Sequence, residues 1–523
     1  MNTLVASAPS ASPVVEFARR RPGATLAWVL GLHLVLWTAL PILVCSNLQL
    51  DLVEDLALGK EWQLGYWKHP PLPWWLADAL YRLTGQIDSV YLLGPLVAVL
   101  CLYFVWRLAR EVVDPIMALA AVLALEGLHF YNFSGVKFAH DQMQLPFWAL
   151  IGWFVYRAIS GAWALDWIAA GAFLGLAFWS KYAAFSLAAT IGLILLFDPA
   201  ARPAWRTRGP YLMAAAFFIV IGPNLWWLVE NDFRPFQYVD MRAVEATHWY
   251  QFVTFPLRWT ISQVFYLVPT IVLIAMLFGG RLPKQSTAAL PFARRYVTAL
   301  ALGPFLVTTA IFGVLGRLPV AMWGYPLWSF APLAFLMWFA PSPDGRALRQ
   351  FAAAFAIVFV VLPVAYAADE LLEPVVRDRQ KATHFPGRAM AELVTRRWRE
   401  VTGTPLRYVG GAPIAGGGGE FAANNVAVYS TDRPHVLVDG DPKLSPWIDM
   451  ADFDRTGGVL VWQSAQSMPE ALRERFPQAQ PQPPVVLPPQ TLVPRSPAVI
   501  QFAIVPPRRM LSPPGQSSGT KQN

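Results

Sequence analysis

Charge is scarce in this chain. Of 523 residues only 14% are Asp, Glu, Lys or Arg, where a soluble domain carries about a quarter. Hydrophobic residues make up 55% and mean hydropathy is +0.40. Such a balance excludes an ordinary soluble globule and places the chain in a bilayer. Cysteine is almost missing: Cys45 and Cys101 are the two present, so there is no disulfide framework and no cysteine-based metal spacing. Leu43-Val44-Cys45 is no lipoprotein cleavage site, because Val44 is too bulky for the position before the cysteine. No clear internal repeat is visible, which weighs against transporters built from repeated halves. A phosphate-binding loop is missing too. The run Ala415-Gly416-Gly417-Gly418-Gly419 lacks the required spacing and trailing lysine, and reads as a flexible loop. The formal net charge of +8 does not imply a nucleic-acid partner; basic loops on one side of a membrane account for it.

What the chain has is long apolar runs. Eleven segments of roughly bilayer-spanning length read as helices: 24–45, 89–110, 115–133, 142–159, 163–180, 182–198, 209–229, 260–279, 296–316, 319–340 and 348–368. The 23 Trp and 33 Phe suit interfacial belts and packing in lipid. Arg19, Arg20 and Arg21 precede the first span, and basic residues recur in alternate loops at Arg107, Arg110, Arg157, Arg202, Arg206, Arg208, Arg281, Lys284, Arg294, Arg295, Arg346 and Arg349. By the positive-inside rule this side is cytoplasmic, which puts the other loops and the tail after 368 outside. The expected architecture is an α-helical polytopic membrane protein with a small C-terminal α/β domain. Residues 1–23 form a cytoplasmic segment and 24–368 the membrane domain, with periplasmic loops 46–88, 134–141 and 230–259.

The tail is different material. Residues 369–400 are charged and helical in pattern. Tyr408–Gly411, Val426–Ser430, Pro434–Val438 and Gly458–Trp462 are short β-branched runs between turn formers, and they predict strands. An α/β domain over 369–475 is the result, followed by a Pro-rich tail over 476–523 that is extended at first and disordered from Pro513.

Polar groups gather in the outer loops. The first holds Asp51, Glu54, Asp55, Lys60, Glu61, Lys68 and His69. Residues Asp51 to Leu58 have helical spacing, with the three carboxylates on one face; a solvated acidic face is the plain alternative, and for Glu54 and Asp55 it is the preferred one. The second loop ends His140-Asp141 at the head of an apolar run, where a carboxylate equally serves as a helix cap. Lys181-Tyr182 sits between two closely spaced apolar segments, and a lysine there either snorkels or binds an anion. Pro223-Asn224-Leu225-Trp226-Trp227 and the residues up to Phe236 add amides and aromatics. His33 and His129 fall in apolar helices and are expected to be packed or hydrogen-bonded; His384 and His435 belong to the tail without an assigned role.

Taken in order, these features resemble a family. An acidic residue, then Gly65-Tyr66-Trp67-Lys68-His69-Pro70-Pro71-Leu72, then His140-Asp141 with Leu145-Pro146-Phe147, then Lys181-Tyr182 is similar to the GT-C polyprenyl-phosphate-dependent glycosyltransferases. These include protein O-mannosyltransferases, aminoarabinose transferase and lipopolysaccharide galacturonosyl transferases. The resemblance covers roughly residues 25–340. It implies a polyprenyl-phosphate sugar donor, a lipid, lipopolysaccharide or protein acceptor, and Asp51 in the place of the first-loop catalytic carboxylate. Asp51 is then the base for the acceptor hydroxyl, and a single base suits a one-step inverting displacement. Asp141 is the second catalytic candidate. The phosphate leaving group calls for cations: Lys181 first, then Lys68, His69 and Arg258. Glu54, Tyr66, His140, Tyr182 and Trp226 are expected to contact substrate. No cofactor is implied; a divalent ion between Asp51 and Asp141 is the one option, and no clustered ligand spacing supports it. Two departures leave the sugar and acceptor open: Leu52 follows Asp51 where many relatives carry Asp-Glu, and Lys68-His69 stands where some carry Glu-Lys. The competing reading is a transporter or flippase for a lipid-linked sugar. Its expected mid-helix charges and repeats are not evident, and the distinctive charges lie in loops.

Overall fold

The computed structural model describes residues 12–161, 163–281, 291–377, 381–412, 420–463, 467–488 and 497–508. The glycine run Ala415–Gly419, Lys284 and the end from Pro513 lie outside them. The protein is a mostly helical, multi-span membrane chain with a small mixed sheet near its C-terminus. Six helices are long and apolar enough to cross a membrane: Pro22–Val44, Ile87–Val112, Gly209–Glu230, Gln251–Met276, Pro291–Val314 and Gly345–Val376. Pro115–Gly127, Ala164–Ser180 and Tyr182–Phe197 are shorter apolar helices. His140–Gly161 adds 22 residues, buried along most of its length.

Two expected spans are broken. Residues 319–340 are not one helix but a tight 3₁₀ segment, Ala321–Trp328, and a separate helix, Ala331–Phe339. Pro326 and Pro332 remove backbone donors there, and the 3₁₀ segment presses on its neighbour: a Cβ on Gly324 would lie 2.0 Å from Gln263 Oε1. The run 115–133 leaves the helix after Ala124 and closes with a 3₁₀ turn at Leu125–Gly127. Asn132 Nδ2 donates to the Glu126 carbonyl at 2.9 Å, tying the chain back on itself. His129 therefore sits in a loop, 3.0 Å from Ser134 Oγ, not in a helix. His33 has a polar partner in its buried place: its Nδ1 lies 2.9 Å from Glu126 Oε1, with both side chains buried.

The described residues fall into two compact units, and the limits differ from those that composition suggests. One unit draws on Met1–Val44, Leu64–Pro73 and Ser89–Asp369; the other on Cys45–Gln63, Trp74–Asp88 and Glu370–Asn523. In the first, a two-residue ladder pairs β1 (Val244–Glu245) with β2 (Arg317–Leu318) in antiparallel fashion.

In the second unit β3 (Tyr408–Gly411) pairs in parallel with β4 (His435–Leu437) and with β5 (Gly458–Gln463). The strands β6 (Gln480–Pro481) and β7 (Val485–Leu487) pair with β8 (Ala498–Val505), which runs antiparallel to β5. Pro-rich residues past 475 thus belong to the sheet. The expected strand at Val426–Ser430 is instead part of a helix, Phe421–Tyr429, with Ala422 to Val428 all buried. Parallel neighbours such as β3 and β4 need a crossover between them, usually helical, and this segment supplies it. A short apolar run buried on all sides carries no periodicity to separate helix from strand.

The first-loop helix forms as expected, over Leu50–Gly59, but it is not solvated. Leu52, Val53, Leu56 and Ala57 are fully buried, and Glu54 and Asp55 are buried with them. The preceding Leu48 N–H donates to Tyr429 Oη at 3.0 Å, so this helix lies against the tail's own crossover helix within the unit. The reading of Glu54 and Asp55 as surface charges is corrected accordingly. Lys60 follows at the helix end, with its ammonium donating to the carbonyls of Arg433 at 2.6 Å and of Pro434. Burial pulls its pKa down to about 8, although Glu61 opposes the shift.

The unfolded chain holds the Lys60 proton up to the ordinary lysine range while the folded chain releases it near 8. Stability contributed at this site therefore rises with pH between those values. Thermal unfolding of wild type and Lys60→Met from pH 7.5 to 10 should show wild type gaining on the variant as pH rises. A constant difference across that range would contradict it.

Candidate active site

The first unit gathers most of the singled-out residues at one place. The loop from Leu64 to Pro71 is pinned from three helices. Asn224 Nδ2 donates to Leu64 O at 2.7 Å, and Tyr182 Oη donates to Asn224 Oδ1 at 3.0 Å. Gly65 lies flat on Trp227, where a Cβ would meet the indole Cε3 at 2.1 Å. Tyr66 is buried, its N–H reaching the His69 carbonyl at 3.2 Å to close the turn. His140 Nε2 sits 3.1 Å from Pro70 O. These contacts hold Lys68, itself buried, and His69 in fixed positions.

Asp141 occupies the first turn of the His140–Gly161 helix, and Lys181 caps the C-terminal end of Ala164–Ser180. A carboxylate at a helix N-terminus and an ammonium at a helix C-terminus are each favoured by the backbone dipoles. The two side chains then meet: Lys181 Nζ lies 2.7 Å from both Asp141 oxygens, with Lys181 8% and Asp141 2% exposed. Helix capping was the plain alternative for Asp141; here its carboxylate engages Lys181. Phe138 makes the entry possible. It turns the chain with φ of +46° and buries its ring completely, a backbone cost of about 1–3 kcal/mol that the burial offsets. The Lys181 ammonium also stands 5.4 Å from the Trp323 ring, within cation–π range.

Around this pair the aromatic rings close in. His69 and His140 have ring centroids 4.2 Å apart. Tyr238 meets both Trp67 and His69 edge-on at 5.2 Å, and Tyr182 stacks on Phe236 at 5.3 Å. Lys68 Nζ is 5.4 Å from the Trp67 ring. Burial first, then His140, Lys181, Lys68 and Arg242, push the His69 pKa well below its ordinary value. His69 is therefore a neutral imidazole able to accept or donate one hydrogen bond. The cations acting on it are Lys181, Lys68 and Arg242, and Lys181 holds the Asp141 carboxylate. Such a place favours an anion.

Three of its members went unnoticed in the sequence: Tyr238, Arg242 and Trp323. The signal for the first two was their four-residue spacing in the short helix Arg234–Arg242; Trp323 carried none. Two expected members are elsewhere. Trp226 is 62% exposed, because neighbours on a helix point about 100° apart and Trp227 takes the inward position. Arg258 is exposed on the Gln251–Met276 helix and makes no side-chain hydrogen bond or ion pair among the described residues. Asp51 and Glu54 belong to the second unit. Asp51 is part-buried in the first turn of its helix, also with no hydrogen bond or ion pair among the described residues. No group of three or more His, Cys, Asp or Glu among the described residues is arranged to hold a metal ion.

Residues 68–227 match the model of the dolichyl-phosphate-mannose-protein mannosyltransferase family. Over that stretch, about a third of its length, the chain is similar to this family. The matched stretch contains Lys68, His69, His140, Asp141, Lys181, Tyr182 and Asn224. Among curated proteins, the lipid A galacturonosyltransferase RgtD of Rhizobium johnstonii is 29% identical over 197 residues, 36% of this chain and 38% of that protein. The lipopolysaccharide core galacturonosyltransferase RgtB of the same organism is 22% identical over 65% of this chain and 71% of its own. The chain thus aligns with little more than a third of RgtD. Among solved structures, ArnT from Cupriavidus metallidurans bound to undecaprenyl phosphate superposes with a TM-score of 0.59 at 12% identity, over 91% of this chain and 98% of that one. That likeness is one of fold.

Breaking a buried pair by removing one partner costs about 3–5 kcal/mol. Lys181→Met should lower thermal stability by that order, and adding Asp141→Asn should return most of it. Additive losses in the double variant would show that the two are not coupled. The depressed His69 makes a pH prediction. Its unfolded form takes a proton below about 6.5 while the folded form resists, so its contribution is present above that pH and is lost as pH falls further. His69→Gln should narrow the loss of stability between pH 7 and 5.

Proposed function

We propose that this protein is a membrane glycosyltransferase that moves a sugar from a polyprenyl-phosphate donor to a lipid A or lipopolysaccharide-type acceptor. The observation that carries the reading is the group of Lys68, Lys181, His140 and part-buried His69, with the Lys181 ammonium on Asp141 and Arg242 acting on His69. When a polyprenyl-phosphate sugar reacts, its phosphodiester leaves as a monoester and gains negative charge. Fixed cations in a dry site stabilise that change more than the ground state. Lys181 is proposed to lead, released in part from Asp141 as the phosphate arrives, with Lys68 and neutral His69 completing the cradle. Asp141 sets the Lys181 ammonium in place and offers a carboxylate to a sugar hydroxyl. Tyr66, His140 and Tyr182 shape the wall.

The base is proposed to be Asp51, on its residue type and its place in the first-loop pattern. With one base and no nucleophilic carboxylate, the displacement inverts the anomeric centre. A periplasmic site and tail fit the alternation of basic loops. The galacturonosyltransferase names of the two relatives favour an acceptor of the lipopolysaccharide class over protein.

Purified chain given a polyprenyl-phosphate sugar and lipid A should release free polyprenyl phosphate. Lys181→Ala should lower turnover about 10²–10³-fold, and Asp51→Asn about 10²–10⁴-fold. Full turnover by either variant would remove that residue's role. Movement of the donor across sealed vesicles without chemical change would favour the flippase reading instead.

A further inference from the structure

A second feature of the first unit lies away from this cluster. Between the helices Gln251–Met276, Pro291–Val314 and Ala331–Phe339 there is a slot of about 630 Å³. One side is a stripe on a single helix face, Leu267, Thr270, Ile271, Ile274 and Ala275, continued by Phe278 in the turn after it. These residues recur at helical spacing, so the stripe is about 16 Å long. Ala301, Leu302, Ala334 and Phe335 close the other sides, and the lining is almost wholly apolar. At one end the chemistry changes. Arg281 lines the slot, and the Arg294 guanidinium stacks 4.6 Å from Trp338, another lining residue. Trp338 is fixed by donating to Thr298 Oγ1 at 2.8 Å. Arg281 is 3.8 Å from Asp344, but both side chains are more than half exposed, and such pairs hold weakly.

We infer that the slot holds one acyl chain of an anionic phospholipid, with its phosphate at Arg281 and Arg294. The length decides the occupant. A bilayer core is about 30 Å thick, so the slot reaches through one leaflet, the depth of a single acyl chain. Its cationic mouth lies past the C-terminal end of the Gln251–Met276 helix, whereas the β1–β2 ladder precedes and packs by its N-terminal end. That helix alone is about 39 Å long. An isoprenoid tail entering from the Lys181 side would therefore reach the slot by its apolar end, with its phosphate far from the arginines. Guanidinium groups at a membrane surface are suited to a lipid phosphate. On the orientation read from the basic loops, this is the cytoplasmic leaflet.

The full-length protein in detergent is tested by native mass spectrometry with phosphatidylglycerol, phosphatidylcholine or polyprenyl phosphate added. Wild type should retain one phosphatidylglycerol in preference to phosphatidylcholine. Affinity should fall about fivefold for each of Arg281→Ala and Arg294→Ala. Asp344→Asn, which removes the competing carboxylate, should raise retention. Ala301→Trp should fill the slot and lose both phospholipids, with Ala334→Phe as a second filling variant should the first not fold. Equal retention of the two phospholipids, or unchanged retention in the double arginine variant, overturns the inference. So does displacement of phosphatidylglycerol by polyprenyl phosphate together with loss of polyprenyl phosphate in the filled variant.

Discussion

The bidentate contact between Lys181 and Asp141 is the constraint on which the site depends. Each partner stands at the helix end whose dipole suits its charge, so three favourable terms coincide at one point. Without that coincidence, burying an ammonium and a carboxylate would cost several kcal/mol for each ion. With it, the ends of two helices are locked in register. Everything else at the site refers to this register. His140 precedes Asp141 and touches the loop of Lys68 and His69; Tyr182 follows Lys181 and holds the same loop through Asn224. One ion pair thus fixes both ends of a short cationic loop.

The cations around His69 give this geometry chemical direction. A structural ion pair needs one charge of each sign. Here a second buried lysine and a nearby arginine act on the same imidazole, and their combined field suits an anion more than a neutral ligand.

Much of this was legible in the chain because the relevant signals are local. Long apolar runs name their own helices, and a charged residue at the edge of such a run announces itself, as Asp141 and Lys181 do. Legibility fails where a residue's environment is supplied from far along the chain. Glu54 and Asp55 look like solvent charges until residues after 370 cover their helix within the second unit. Val426–Ser430 has strand composition, yet two parallel strands on either side of it require a crossover. Arg258 and Trp226 failed for a simpler reason, since composition places a residue near an interface without choosing the helix face.

The two cationic features of the first unit also differ in a way that bears on how such a chain uses charge in a membrane. Lys68 and Lys181 are buried, and the field they make acts on groups held within a few ångströms. Arg281 is largely exposed beside an apolar slot, where a guanidinium can meet a headgroup without losing its own hydration. A buried ammonium gains from a ligand that changes charge during reaction, because the dry surroundings magnify the difference between ground and transition state. An exposed guanidinium gains little from such a change and much from a permanent phosphodiester. The side chains at the two places, lysine inside and arginine at the surface, suit the two proposed roles, chemistry at one and anchorage at the other.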